Sequence, residues 1–201
     1  MQYSSGDEYN KDSDKIEPAG VENESTKDRY YAVGAKYANG PLTAFVLVDS
    51  INYQSSDGTN AVDTDDSLTV TAAANYDLDV AKVYFAAQYF DEVKGEFGQG
   101  QVNGYALTTS VSAPVAGGNL MGVIGYVDAE AADSVTDVTK TADFDFTRYQ
   151  IGVGYTYPLS KRTYVYGAAA MLKDKTEYAI KTKGDDKVTA YQAQLGLVHN
   201  F

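Results

Sequence analysis

The stretch Thr147-Arg-Tyr-Gln-Ile-Gly-Val-Gly-Tyr-Thr-Tyr157 decides the fold. At a period of two, Tyr149, Ile151, Val153, Tyr155 and Tyr157 share one face. Arg148, Gln150, Gly152, Gly154 and Thr156 share the other. One side is large and apolar and the other small and polar, which is the pattern of a strand between two unlike media. Just downstream, Pro158–Arg162 reads as a turn.

The same alternation recurs outward from this strand. Tyr191, Ala193, Leu195, Leu197 and Phe201 oppose Ala190, Gln192, Gln194, Gly196 and Asn200. Ala81, Val83, Phe85, Ala87 and Tyr89 have Lys82 and Gln88 on the reverse, and Leu68–Tyr76 alternates likewise. Strands are expected at 30–37, 42–53, 67–76, 80–90, 101–111, 119–127, 147–157, 163–172 and 189–201. Over Thr43–Val48 and Met121–Val127 both faces are apolar. A bulge, a loop folded over the inner side or a neighbouring subunit on the outer side would each explain that.

The connections carry an independent pattern. Ala38–Pro41, Asp77–Asp79, Ser112–Gly118 and Pro158–Arg162 are short. They alternate with long polar segments at Gln54–Asp66, Asp91–Gly100, Asp128–Phe146 and Lys173–Val188. All short links then fall at one end of the sheet and all long ones at the other, the layout of an outer-membrane β-barrel. Nine to eleven residues at about 3.4 Å each, tilted about 45°, cross roughly 22–26 Å, close to a barrel's apolar band. An unpaired N–H or C=O in lipid costs several kcal/mol, so such a sheet has to close. The expected class is therefore all-β, a transmembrane antiparallel barrel. Nine is odd, whereas a barrel closed from one antiparallel chain needs an even count. The chain thus reads as the C-terminal portion of a longer barrel: 1–29 an upstream strand stump and external loop, 30–201 the barrel strands. MQYSSGDEYN at the start does not read as a signal peptide.

Composition narrows the function. With 16 basic and 28 acidic residues the net charge is -12, which argues against a nucleic-acid binder working through a basic surface. Cysteine is absent and His199 is the only histidine, so thiolate nucleophiles, disulfides and multi-histidine zinc sites are excluded. No run approaches the roughly 20 apolar residues of a spanning helix. The 18 tyrosines suit a half-wet surface, and Tyr37, Tyr76, Tyr89, Tyr157 and Tyr164 sit near strand ends, where a membrane girdle belongs. Lys36, Lys82, Arg148, Gln150, Gln192 and Gln194 are candidates for a pore lining, on the face away from the girdle.

The run Tyr149-Gln-Ile-Gly-Val-Gly-Tyr-Thr-Tyr-Pro-Leu-Ser-Lys-Arg-Thr163, continued by Tyr164-Val-Tyr-Gly-Ala, resembles the penultimate hairpin of the Gram-negative general porins. The ending Gly196-Leu-Val-His-Asn-Phe201 resembles their C-terminus. Tyr76–Tyr89 and Gly104–Val111 are similar to earlier porin hairpins. The resemblance implies a 16-stranded, trimeric, water-filled channel in the outer membrane of a Gram-negative bacterium. It also implies that Phe201 is the residue read by the barrel-assembly machinery. The family's constriction loop belongs to its N-terminal half, and no position here matches it.

Other constellations have plain explanations. Ser160-Lys161-Arg162-Thr163 lacks an acid–base partner and reads as a turn rather than a nucleophile. Asp63, Asp65 and Asp66 lack the glycine and terminal glutamate of a calcium loop. Gly152 and Gly154 have neither the third glycine nor the helix of a dinucleotide loop. No enzyme, cofactor or metal is expected. Acids crowd the long connections: Asp128–Asp145 holds six against Lys140, and 1–29 holds eight acids against four bases. An acidic mouth concentrates cations, and the same carboxylates suit lipopolysaccharide bridged by divalent ions. The expected function is a passive, cation-preferring diffusion channel for ions and small hydrophilic solutes. Two alternatives stand beside it: a non-conducting surface or adhesion barrel, and a soluble β-sandwich that binds a partner.

Overall fold

The computed structural model describes residues 28–53, 65–94, 101–132, 144–178 and 184–201. Nine strands follow one another: β1 (Arg29–Asn39), β2 (Leu42–Asn52), β3 (Ser67–Asp77), β4 (Lys82–Lys94), β5 (Gln101–Val115), β6 (Gly118–Ala131), β7 (Phe144–Ser160), β8 (Thr163–Tyr178) and β9 (Asp186–His199). They form one antiparallel sheet in sequence order, so each strand pairs with its chain neighbours. No second sheet packs on it among the described residues, and this removes the β-sandwich.

Period-two side chains and a continuous ladder divide the sheet into two faces. Tyr149 stands opposite Tyr126 and Lys173, and Ile151 opposite Ile124 and Met171. Through Leu107, Ala87, Ala72, Val46 and Ala35 the same row reaches β1. The large apolar members of this face are open: Val33 is 71% exposed, Ile151 52% and Leu195 89%. In water such a surface would be a liability, and its extent marks contact with something apolar.

The other face is concave. Tyr84 on β4 and Gln192 and Gln194 on β9 line one concavity. In a flat sheet five strand steps of about 4.8 Å would hold them roughly 24 Å apart. Among the described residues β1 and β9 each pair with a single strand.

Several strands outrun the apolar pattern that announced them. β7 spans Phe144–Ser160 where 147–157 was expected, and β8 reaches Tyr178 where 172 was expected. Hydrogen bonding continues past the apolar band, where the side chains turn polar. The bulge offered for the doubly apolar strands is absent, since β2 and β6 keep an unbroken register with both neighbours. Irregularities lie instead in β4, between Phe90 and Val93, and in β7, between Pro158 and Ser160. Residues 1–27, expected to hold a strand stump and most of a loop, lie outside the described residues.

Candidate functional site

The concave face gathers the sequence's candidate lining. Lys36 stands opposite Phe45, and Gln150 opposite Gly125 and Leu172. The register carries one row from Lys36 to Gln150 through Ala73, Ala86 and Thr108. Arg148, Lys82, Gln192 and Gln194 share this parity. All six therefore occupy the face opposite Tyr149 and Ile151. Small and hydroxylic residues fill the space between them: Thr71, Thr108, Ser110, Ser112, Gly152 and Ala170. Gln88 donates to Thr71 Oγ1 at 3.0 Å, and Asn119 donates to Ser112 Oγ at 2.9 Å.

Two of the three basic side chains on this face are neutralised. Arg148 donates from Nε and Nη2 to the two carboxylate oxygens of Asp174, at 2.7 and 2.8 Å. This forked pairing fixes the guanidinium against the wall, and the Phe146 ring lies 5.3 Å from Arg148 Cζ. Lys82 Nζ sits 3.1 Å from Asp77 Oδ2 beside the β3–β4 turn. Both side chains are about half exposed there. The ammonium, together with the backbone N–H of Asp79, holds the Asp77 carboxyl below its ordinary range. Lys82 is raised in turn by that hydrogen bond.

Sequence reasoning missed Asp174. Counting back from the turn at Lys161-Arg162 sets Arg148 opposite Lys175. The extra residue at Leu159 shifts the ladder by one and brings Asp174 there instead. Asp49 was missed too; it lies on the concave face of β2, opposite Thr69.

On the convex face aromatic residues gather near both ends. Tyr105, Tyr126 and Tyr149 form a ladder with ring centroids 5.9 and 5.2 Å apart. Tyr126 donates to Asp128 Oδ2 at 2.7 Å, placing its polar tip at the long-connection end. Toward the other end Tyr155 stacks on Tyr157 at 6.5 Å. Tyr37, Tyr76, Tyr89 and Tyr157 all have this convex parity. Tyr164 does not: it faces Pro158 and Val198 on the concave side. Its position near a strand end suggested a girdle, but the register decides which face it takes.

At the β7–β8 turn Ser160 acts through its backbone neighbours. Its Oγ accepts from the Arg162 N–H at 3.2 Å. Arg162 Nε donates to the Asn200 carbonyl at 2.7 Å, and Thr163 Oγ1 meets His199 Nδ1 at 2.8 Å. The His199 ring stands edge-on to Phe201, which is fully exposed. Of the aspartates considered for a metal, Asp66 instead accepts from the Asn52 side chain and the Tyr53 N–H. Asp63 lies outside the described residues.

The comparisons with known proteins agree with this geometry. A model of the Gram-negative porin family matches residues 1–177. Outer membrane porin protein 32 of Delftia acidovorans is 32% identical over 148 residues, which is 73% of this chain and 37% of that protein. The solved anion-selective porin from Comamonas acidovorans matches with a TM-score of 0.58 at 27% identity, covering 86% of this chain and 49% of that one. The chain therefore spans half or less of these relatives. Its nine antiparallel strands are a section of a porin-type barrel, in the outer membrane of a Gram-negative bacterium. On the family match, which covers most of its length, the chain belongs to the Gram-negative porin family.

Proposed function

We propose that the chain forms part of the wall of a passive, water-filled channel for ions and small hydrophilic solutes. Lys36, Lys82, Arg148, Gln150, Gln192 and Gln194 meet the lumen, and Tyr37, Tyr76, Tyr89 and Tyr157 sit in the membrane girdle. One observation carries the reading: a single curved sheet whose convex face exposes large apolar side chains, while its concave face holds Lys36, Lys82, Arg148 and the glutamines among many small residues. Lipid on the first face and water on the second satisfy both. A non-conducting barrel would fill its interior with bulk, whereas Gly152, Gly154, Ala168 and Ala170 leave this interior open.

Selectivity follows from charge. One solved relative is described as anion-selective. This chain carries a net charge of -12, and two of three concave-face cations are bound to aspartates. We read it as cation-preferring. Its partners are outer-membrane lipid and lipopolysaccharide, two further copies in a trimer, and the barrel-assembly machinery acting on the exposed Phe201.

Reconstitution into planar bilayers tests this directly. Stepwise conductance and a cation-signed reversal potential under a salt gradient are expected; silence sinks the channel, and an anion-signed potential sinks the selectivity. Paired substitutions test the faces. Ile151→Arg, on the lipid side, is expected to cost about 2–4 kcal/mol in folding. Gln150→Arg, its neighbour on the lumen side, should leave folding intact and shift the reversal potential toward anions.

A further inference from the structure

One stretch of the concave face, across β4 to β9, has a chemistry that an indifferent water channel does not require. One ladder row crosses six strands as Tyr84, Ser110, Val123, Gly152, Ala170 and Gln192. The row below it runs through Ser112, Met121, Gly154 and Ala168 to Gln194. In both rows the hydrogen-bonding side chains stand at the sides and the small or apolar ones in the middle. Together they line a trough of about 460 Å³, within the roughly 300–1,000 Å³ of small-molecule sites.

Among the described residues no charged side chain lines it. The nearest row cation, Lys82, is held by Asp77. An ion resting on this floor would lose hydration without finding a counter-charge, so the trough disfavours charged solutes. The floor is tightest at Gly152, where a Cβ would stand 3.0 Å from Val123 Cγ1; at Gly154 a Cβ would meet the Ala168 Cβ at an ordinary 3.6 Å.

We infer that this trough is a binding subsite for an uncharged, hydroxylated ring solute of the pyranose class. Such a ring has apolar C–H faces and hydroxyls around its edge. Its face rests on the Val123, Gly152 and Ala170 floor, and its edge hydroxyls meet the Gln192 and Gln194 amides, each both donor and acceptor. Tyr84 offers a ring face and a hydroxyl at the other side. The inference rests on the concave face being wetted, as the channel reading has it, but binding is measured without conduction.

The test is saturation-transfer NMR on the intact protein in detergent, with trehalose as the neutral probe and glucuronate, a charged pyranose, as its counterpart. Trehalose is expected to bind saturably in the millimolar range and glucuronate at least tenfold more weakly. Ala170→Phe fills the floor and should weaken trehalose at least tenfold. Ala193→Phe adds the same bulk on the convex face and should leave binding unchanged. Gln192→Leu and Tyr84→Phe, which keep volume and lose hydrogen bonds, should each weaken it severalfold. Unchanged binding in Ala170→Phe, equal affinity for glucuronate, or no saturable signal overturns the site. A protein that conducts without binding trehalose defeats the subsite alone; one that binds it without conducting defeats the channel alone.

Discussion

The two ends of the sheet are held together by opposite means. At the short-turn end the chain reverses within a few residues, and the turns are built from local backbone preference. Gly40 (φ 53°) precedes Pro41, and Ala116 (φ 49°) precedes Gly117 (φ 79°), sign patterns that match the twist of a two-residue hairpin. The Asp79 N–H is capped by Asp77 Oδ1 at 3.1 Å. Tyr155 reinforces this end, donating to the carbonyls of Val115 and Ala116 at 2.9 and 3.2 Å. At the long-connection end the ties span many residues. Gln101 accepts from Asp65 N and donates to the carbonyls of Asp65 and Glu92, which lie 36 and 9 positions away. Asn103 Oδ1 takes the Glu92 N–H at 2.7 Å, so the irregular step in β4 has both backbone groups satisfied by β5 side chains. Every buried residue among those described lies here: Ser67, Gln101, Ala129, Ala131 and Ala132. A barrel wall has no interior of its own, and this corner is the nearest approach to one.

If that contrast is right, the two ends respond differently to substitution. The largest effect is expected at Gly104, where a Cβ would fall 2.2 Å from the Asp128 carbonyl and 2.9 Å from Phe90 Cζ. Gly104→Val cannot be absorbed by a rotamer change and should cost about 3 kcal/mol, read by urea unfolding in lipid vesicles. A loss below about 1 kcal/mol would mean the corner is loose. Gln101→Leu comes next. It keeps the volume but strands the Asp65 and Glu92 backbone groups, at about 2 kcal/mol. If water replaces the amide at no cost, the corner is wet and the contrast fails. Ala116→Gly acts the other way at the opposite end. It relieves a left-handed alanine, and after glycine's entropic cost about 0.5 kcal/mol of stabilisation remains.

The same contrast explains what the sequence discloses. Alternation in Thr147–Tyr157 and the Asn39-Gly40 turn are neighbour effects, and they specify strands, faces and hairpins without knowledge of anything distant. Gln101 and Ser67 look like ordinary strand-start residues, because their partners are set by register and not by adjacency. Arg148 shows how little is needed to lose a site: an unbroken ladder would set Lys175 opposite it, and one extra residue at Leu159 brings Asp174 there instead, in a forked ion pair. Tyr164 misled for the same reason, since proximity to a strand end says nothing of which face is taken. Face is legible where the alternation is strong, and pairing only where no bulge intervenes.

The smallest expected effect tests whether charge, as well as backbone, secures the short-turn end. Asp77 and Lys82 face each other across the β3–β4 turn, with Asp77 lowered and Lys82 raised. A lowered carboxyl contributes stability above its unfolded value of about 3.9 and loses it as pH falls through the folded value. A raised lysine contributes below its unfolded value of about 10.4 and loses it as pH rises through the folded one. The pair therefore supports the hairpin on a plateau between those limits. Because both partners are exposed, salt should erode its contribution. Unfolding of the wild type and Asp77→Asn, compared from pH 3 to 7 at low and high salt, should differ fully at pH 7, by progressively less as pH falls below about 4, and only at low salt. A difference that persists in high salt would shift the role of Asp77 from its charge to its bond with the Asp79 N–H, so that hydrogen bonds rather than ion pairing secure that end.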